Sequence, residues 1–193
     1  TVIDNQFPVL VGVPANTTVE CDAVPAAATV TATDNCTTSA PTYAEVRTNG
    51  NCPNKYTLTR TWSTTDASNN TTTQSQVITV QDTKAPVLTV PADISVVNDN
   101  NVCGATVTFA ATATDNCSTP IITYSQNPGT VFAIGTTVVT VTAKDACGNT
   151  TVKSFTVTVT DTQFPVLVGV PANTTVECDA VPAAATVTAT DNC

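Results

Sequence analysis

Residues 137–143 read TVVTVTA, and residues 155–159 read FTVTV. In both stretches β-branched or aromatic side chains alternate with threonine, so that every second side chain falls on the same face of an extended strand. Residues 56–62, YTLTRTW, show the same period of two earlier in the chain. β-Branched residues at this period are typical of half-buried strands.

Short strands separated by turns are expected along the whole chain. About seven strands fall in each stretch of roughly 78 residues, and the only helix-favouring run, residues 26–28, is too short to form a helix. We therefore predict an all-β fold class of tandem immunoglobulin-like or fibronectin-III-like β-sandwiches stacked end to end. Trp62 is in phase with Tyr56 and Leu58, so we expect it to fill the core between two sheets.

The composition excludes several classes of protein. The 193 residues include 6 Lys and Arg against 15 Asp and Glu, a net charge of −9, and no histidine. So few basic residues cannot form the positive face that nucleic acid requires. Without histidine there is no Ser-His-Asp triad and no His-ligated zinc site. No apolar run approaches the length of a membrane span, so no membrane insertion by this segment is expected. The isolated basic residues, which we expect on the surface, are Arg47, Arg60, Lys84, Lys144 and Lys153.

The chain contains a near-identical repeat. Residues 158–193 match residues 1–36 at 34 of 36 positions, at a period of 157 residues. Such near-identity predicts that the chain is a window on a longer array.

A weaker repeat of about half that period lies inside it. The tripeptide Asp-Asn-Cys recurs at 34–36, 115–117 and 191–193, and each half opens on an Asp followed four residues later by Pro. We therefore predict two modules and a partial third: module A, residues 1–81; module B, residues 82–160; and the first strands of the next copy of A, residues 161–193.

Module B carries the residues that point to a known family. It reads TDNC at 114–117, PGTVFAIGTTVVTVTAKDACGN at 128–149 and FTVTVTD at 155–161. This pattern resembles the hyalin repeat (HYR) family of immunoglobulin-like adhesion modules. Module A is similar but diverges, with RTWSTTDASNN at 60–70 in place of the family's ATDACGN.

The near-identical tandem copies are similar to the giant repetitive surface adhesins of gliding flavobacteria (Bacteroidetes), the SprB-like proteins. This resemblance implies a non-enzymatic segment of a long extracellular filament that extends from a bacterial surface and mediates attachment or gliding. Its implied partners are neighbouring repeats of the same polypeptide and a surface polysaccharide or substratum. The alternatives are a carbohydrate-binding accessory module of a secreted enzyme, and an enzyme; near-identical copies in series disfavour both, because one active site does not require them.

Eight cysteines and no CxxC pair favour disulfides in an oxidising compartment over zinc. In an immunoglobulin-like sandwich of strands A, B, C, E, F and G, the A–B and C–F connections lie at one end, the bottom, and the B–C and F–G loops lie at the other end, the top. Cys21 and Cys52 fall in the bottom connections of module A. Cys117 and Cys147 fall in the top loops of module B. We predict the bridges Cys21–Cys52 and Cys117–Cys147, each closing a loop of about 30 residues.

One cysteine then remains in each module. Cys103 lies at the bottom of module B and would face Cys193, the copy of Cys36 in the next module, because Ser68 replaces the expected partner of Cys36. We predict a Cys103–Cys193 bridge between successive modules, with Cys36 bonded to the preceding repeat. The alternatives are free buried thiols and a local Cys36–Cys52 bridge.

Acidic and amide residues gather at the predicted joint between modules A and B. Oxygen-rich clusters of this kind suit Ca²⁺, which takes six to eight oxygen ligands. The candidate ligands are Asp22, Asp82, Asp115, Asn116, Asp145 and Asn149. The alternative is that these Asp and Asn side chains cap turns; a glycosidase carboxylate pair is disfavoured because no cleft is indicated.

Overall fold

The computed structural model describes residues 3–193, so Thr1 and Val2 of predicted module A lie outside the described residues. Within the described part of the chain there is no α-helix, and the one helical turn is the 3-10 turn η1 (Cys21–Ala23). The strands are β1 (Val9–Val11), β2 (Thr17–Glu20), β3 (Thr31–Thr33), β4 (Thr42–Asn49), β5 (Tyr56–Thr65), β6 (Thr71–Gln81), β7 (Val87–Thr89), β8 (Ile94–Val97), β9 (Gly104–Val107), β10 (Thr112–Thr114), β11 (Ile121–Tyr124), β12 (Thr130–Ala133), β13 (Gly135–Lys144), β14 (Thr150–Thr160), β15 (Val166–Val168) and β16 (Thr188–Thr190). The predicted all-β, immunoglobulin-like fold class is confirmed.

The strands β1 to β6 form two sheets. β1 pairs antiparallel with β3, and the second sheet has the order β2-β6-β5-β4. The edge strand β2 runs parallel to β6, with Thr17 opposite Ile78, whereas β4, β5 and β6 are antiparallel. β2 and β4 are therefore opposite edges of one sheet.

The strands β7 to β14 repeat this arrangement. β7 pairs with β10, and the larger sheet has the order β11-β13-β14-β8, with β8 parallel to β14. A further antiparallel pair, β9 with β12, has no counterpart among the described strands of module A. β15 and β16 pair in the register of β1 and β3, since Val166 lies opposite Thr190 as Val9 lies opposite Thr33.

The core follows the predicted period of two. Every second residue of β5 from Leu58 onward points inward, and the same holds for the C-terminal part of β14. Trp62 is 2% exposed and packs against Leu10 and Val30, which confirms its predicted place in the core. Leu58 packs in a second cluster with Ile78 and Val80.

Arg60 corrects the expectation that the basic residues all lie on the surface. It stands between Leu58 and Trp62 in the inward row of β5 and is 5% exposed. Its guanidinium forms an ion pair with Glu45 at 2.7 Å and donates to the carbonyl oxygens of Ala26 and Pro25 at 3.0 and 2.8 Å. A charge this deep is tolerated because its donors are paired.

The chain is organised as two compact units. Unit 1 holds the residues up to 88 together with residues 113–122 and 143–151, and unit 2 holds residues 89–112, 123–142 and 152–193. Unit 1 thus combines module A with residues 82–88 of module B and with the two segments of module B that carry Cys117 and Cys147. Among the described residues, no helix is long and apolar enough to cross a bilayer.

Candidate functional site

The three Asp-Asn-Cys tripeptides fold into the same local turn. In each, the Asp carboxylate accepts a hydrogen bond from the backbone N–H of the Cys two residues later, at 3.0 Å for Cys36, 2.8 Å for Cys117 and 3.2 Å for Cys193. This Asx turn is the local structure that Asp favours where it caps its own backbone. The motif therefore presents a cysteine at a fixed position in the loops that follow β3, β10 and β16.

Two disulfides connect module A with module B. Cys21 is bonded to Cys117 with a Cα–Cα distance of 5.8 Å, and Cys52 is bonded to Cys147 at 5.1 Å. Both distances lie in the normal range for disulfides. All four cysteines belong to unit 1. The predicted pairs Cys21–Cys52 and Cys117–Cys147 are wrong, and so is the alternative bridge between Cys36 and Cys52.

The order of the strands explains why the cysteines of module A do not pair with each other. Cys21 follows β2, and Cys52 lies in the turn between β4 and β5. Because β2 and β4 are opposite edges of the four-stranded sheet, these two ends are separated by two to three strand spacings, about 10–14 Å. A disulfide needs Cα atoms within about 7 Å. Both cysteines instead meet loops of module B.

Polar contacts surround the two bridges. The side-chain amide of Asn54 donates to the carbonyl oxygen of Cys117 at 3.2 Å. Glu20, at the end of β2, accepts hydrogen bonds from the backbone N–H and the hydroxyl of Thr83 at 3.1 and 2.7 Å. These bonds from Thr83 lower the pKa of the Glu20 carboxyl. The joint between modules A and B is therefore bonded by hydrogen bonds as well as by the two disulfides.

The structure separates the six predicted calcium ligands into different roles. Asp82 and Asp115 meet, with a carboxylate oxygen of each and the sulfur of Cys117 all within 4.8 Å of one another. Asp22 is exposed and lies 3.4 Å from the Lys84 ammonium. The remaining residues act through hydrogen bonds. The Asp145 carboxylate accepts from the backbone N–H groups of Cys147 and Asn149 and from the side-chain amide of Asn149. The Asn149 side-chain amide also donates to the backbone carbonyl of Asp82, and the Asn116 side-chain amide donates to the Cys117 sulfur.

Asp82 is the electrostatic exception at this joint. Its side chain is buried, and neither carboxylate oxygen has a hydrogen-bond partner among the described residues. Burial raises the pKa of Asp82, and the negative charges of Asp115 and Asp145 add to the rise, while the neighbouring Asn54 amide opposes it. In Asp145, burial also opposes ionisation, but the hydrogen bonds from Asn149 outweigh it and lower the pKa.

The other four cysteines are unbonded and exposed: Cys36, Cys103, Cys178 and Cys193. Two of them are neighbours within unit 2. A hydrogen bond with Cys103, followed by burial and the negative charge of Asp161, raises the pKa of the Cys193 thiol to about 12. The side-chain amide of Asn192 donates to the carbonyl oxygen of Val102 at 3.0 Å. The predicted bridge between Cys103 and Cys193 is therefore not formed in the structure, where the two cysteines lie side by side as thiols.

Sequence reasoning missed the true partners of Cys21 and Cys52. A signal was present, because Cys21 precedes Cys117 by 96 residues and Cys103 precedes Cys193 by a similar interval. Both pairs place a cysteine near the bottom of one module before an Asp-Asn-Cys turn of the next. The pairing rule that predicted Cys103–Cys193 therefore also describes Cys21–Cys117.

Comparison with known proteins finds a family match over module B. Residues 81–159 match the HYR domain. The hyalin of Lytechinus variegatus is 41% identical over 91 residues, which cover 45% of this chain and 17% of hyalin. The chain therefore spans less than a fifth of the length of this relative. An HYR module stabilised by disulfides fits an extracellular or cell-surface protein.

Solved structures align with low sequence identity. The protocadherin gammaB7 EC3-6 cis-dimer structure has a TM-score of 0.39 at 15% identity, covering 82% of this chain and 49% of that chain. Drosophila N-cadherin EC1-4 has a TM-score of 0.34 at 15% identity, covering 82% of this chain and 50% of that chain. The chain thus spans about half the length of these two structures.

Proposed function

We propose that this chain is a non-enzymatic, adhesive segment of a long extracellular repeat filament, in which successive modules are tied covalently. The observation that carries the proposal is the pair of bridges between modules A and B, Cys21–Cys117 and Cys52–Cys147. Two bonds at one joint oppose hinge motion there and give a load a covalent path around the linking residues. A filament under tension needs this property, whereas an isolated binding module does not.

The second joint supports the same architecture. We propose that Cys103 and Cys193 form a bridge between module B and the next copy of A. The two thiols would lose two protons and two electrons to a disulfide-carrying oxidoreductase of the secretory route, whose own disulfide is reduced to two thiols. The same rule assigns Cys36 to the preceding repeat and Cys178 to the following one.

The surface of a bacterium is the proposed location, with attachment or gliding as the role. The near-identical 157-residue copies support a serial structural element, and the HYR module supports adhesion. The proposed partners are neighbouring repeats of the same polypeptide, and a polysaccharide or substratum contacted by the filament. Acidic composition disfavours nucleic acid as a partner.

Electron microscopy of the full-length gene product in negative stain tests this function. Beaded threads whose bead spacing matches one module, together with labelling of intact cells by an antibody against residues 1–193, are the expected result. Isolated globules attached to a catalytic domain, or a soluble product that binds a glycan array as a monomer, would instead identify an accessory module of a secreted enzyme.

A further inference from the structure

The buried carboxylate of Asp82 has no positive charge beside it among the described residues. Asp82 is 8% exposed, and both of its carboxylate oxygens are without a hydrogen-bond partner in the described chain. The Oδ1 oxygen of Asp115 is also buried and unpaired. Buried charges in proteins are paired with an opposite charge or bind a metal, because an uncompensated one is costly. The three oxygens therefore indicate a missing positive charge.

Within residues 3–193, no basic side chain supplies this charge. Lys84 is the basic residue nearest to Asp82 in the sequence. Its side chain is exposed, and its ammonium group forms an ion pair with Asp22 at 3.4 Å. The other charges acting on Asp82 are negative and come from Asp115, Asp145 and Glu20. A set of anions around a buried carboxylate attracts a cation rather than a phosphate or a carboxylate ligand.

The donor atoms select the kind of cation. Cys117 lies in the cluster, but its sulfur is bonded to Cys21 and is not a thiolate. The available ligands are consequently carboxylate oxygens, which suit hard cations such as Ca²⁺ and Mg²⁺. Mg²⁺ keeps several of its waters and requires a nearly ideal octahedron, whereas Ca²⁺ accepts a flexible set of oxygen ligands. One carboxylate oxygen of Asp82 and one of Asp115 lie within 4.8 Å of each other, close enough to bind the same ion.

We infer that Asp82 and Asp115 bind one Ca²⁺ ion beside the Cys21–Cys117 bridge. Asp82 offers both carboxylate oxygens and Asp115 offers Oδ1, while Asp115 Oδ2 stays on the backbone N–H of Cys117 and Ser118. Water completes the shell. With three protein oxygens the site is of the weak, extracellular kind, with a dissociation constant of about 10⁻⁴–10⁻³ M. The ion neutralises the joint that the bridges close, whatever the filament binds.

The test is calcium-dependent thermal unfolding of the full chain. The wild type, Asp82→Asn and Asp115→Asn are compared with Asp22→Asn, which removes an acidic group of the same joint that contacts only Lys84. Each is heated in chelator, in 10 mM CaCl₂ and in 10 mM MgCl₂ at matched ionic strength, and calcium affinity is measured by isothermal titration.

Calcium is expected to raise the Tm of the wild type and of Asp22→Asn by about 3–6 °C, with a smaller effect of magnesium. Asp82→Asn and Asp115→Asn are expected to bind calcium at least tenfold more weakly. In chelator, Asp82→Asn is expected to melt above the wild type, because the amide removes an unpaired buried charge; this result also shows that the variant folds. A wild type that does not respond to calcium, or a response that survives in both Asp82→Asn and Asp115→Asn, overturns the inference.

Discussion

Replacing Cys52 and Cys147 together by serine removes one of the two bridges that join modules A and B and leaves Cys21–Cys117 in place. The double variant isolates the contribution of the second bridge. It also keeps the charge and nearly the size of both side chains. Its effect on the free energy of unfolding follows from the loop that this bridge closes.

The magnitude comes from the path between the two cysteines. Along the backbone they are 95 residues apart, but with Cys21–Cys117 intact the shorter path runs from Cys52 back to Cys21, across that bridge, and from Cys117 on to Cys147. This path holds about 60 residues. In the chain-entropy description, closing such a loop contributes about 4 kcal/mol. For a chain of this length, that loss lowers the Tm by about 8–16 °C.

Two measurements check the prediction. Thermal unfolding by circular dichroism gives the Tm of the double variant against the wild type, with Cys36→Ser as the matched control at an unbonded, exposed cysteine. Titration of free thiols in denaturant gives the pairing. If the bridges are Cys21–Cys117 and Cys52–Cys147, the double variant has the same number of free thiols as the wild type. Two additional thiols, or a Tm no lower than that of Cys36→Ser, would refute the reasoning.

Three further predictions concern the buried arginine of module A, the β9–β12 pair of module B and the acid stability of Glu45. Arg60→Ala is expected to cost about 2–4 kcal/mol in urea unfolding, because Glu45 and two carbonyl oxygens lose their partner; Lys153→Ala, at an exposed position, is expected to cost less than about 0.5 kcal/mol, and equal losses would contradict the buried role. Gly104→Ala is expected to cost about 1–3 kcal/mol, since its methyl group would clash with the carbonyl oxygen of Phe132 on the paired strand; an unchanged midpoint would show that the strands separate freely. Hydrogen bonds from Arg60 lower the pKa of Glu45, so its contribution to stability is present above about pH 4.5 and is lost as the pH falls through the lower folded value; Glu45→Gln is expected to flatten the acid limb of the stability profile, and an identical limb would count against it.

The strands and the core were predictable because their signal is local. The alternation of Leu58, Arg60 and Trp62 gives the inward face of β5 directly. Arg60 was nevertheless expected at the surface, because its side chain is charged. A burial pattern read strictly by period would have placed Arg60 inside with its neighbours. The hydrogen-bond partners that make the burial of Arg60 tolerable are Glu45 and the carbonyl oxygens of residues 25 and 26. They come from distant segments of the chain, so the sequence around Arg60 does not reveal them.

The pairing of the cysteines was not predictable from module ends alone. The sequence indicates that Cys21 and Cys52 lie at the same end of module A, but it does not give the distance across the sheet. That distance depends on the order β2-β6-β5-β4, in which β2 joins the sheet by a parallel pairing with β6. In the same way, the sequence indicates that the acidic residues of the joint form a group. That Asp145 caps a turn, whereas Asp82 and Asp115 lie together, is known only from the hydrogen bonds of the structure.

The covalent joint is tested most directly by single-molecule stretching. The chain is held at its two ends by cysteine-free tethers and carries Cys193→Ser, so that the proposed Cys103–Cys193 bridge cannot form. With Cys21 bonded to Cys117, about 96 residues lie outside the load path until the disulfides are reduced. Adding reductant to the unfolded chain under force is therefore expected to release about 320–350 Å of additional length, at 3.3–3.6 Å per residue. Bridges confined to each module, Cys21–Cys52 and Cys117–Cys147, would hide only about 61 residues and release about 200–220 Å. A release in that shorter range would contradict a joint tied by disulfides between the modules.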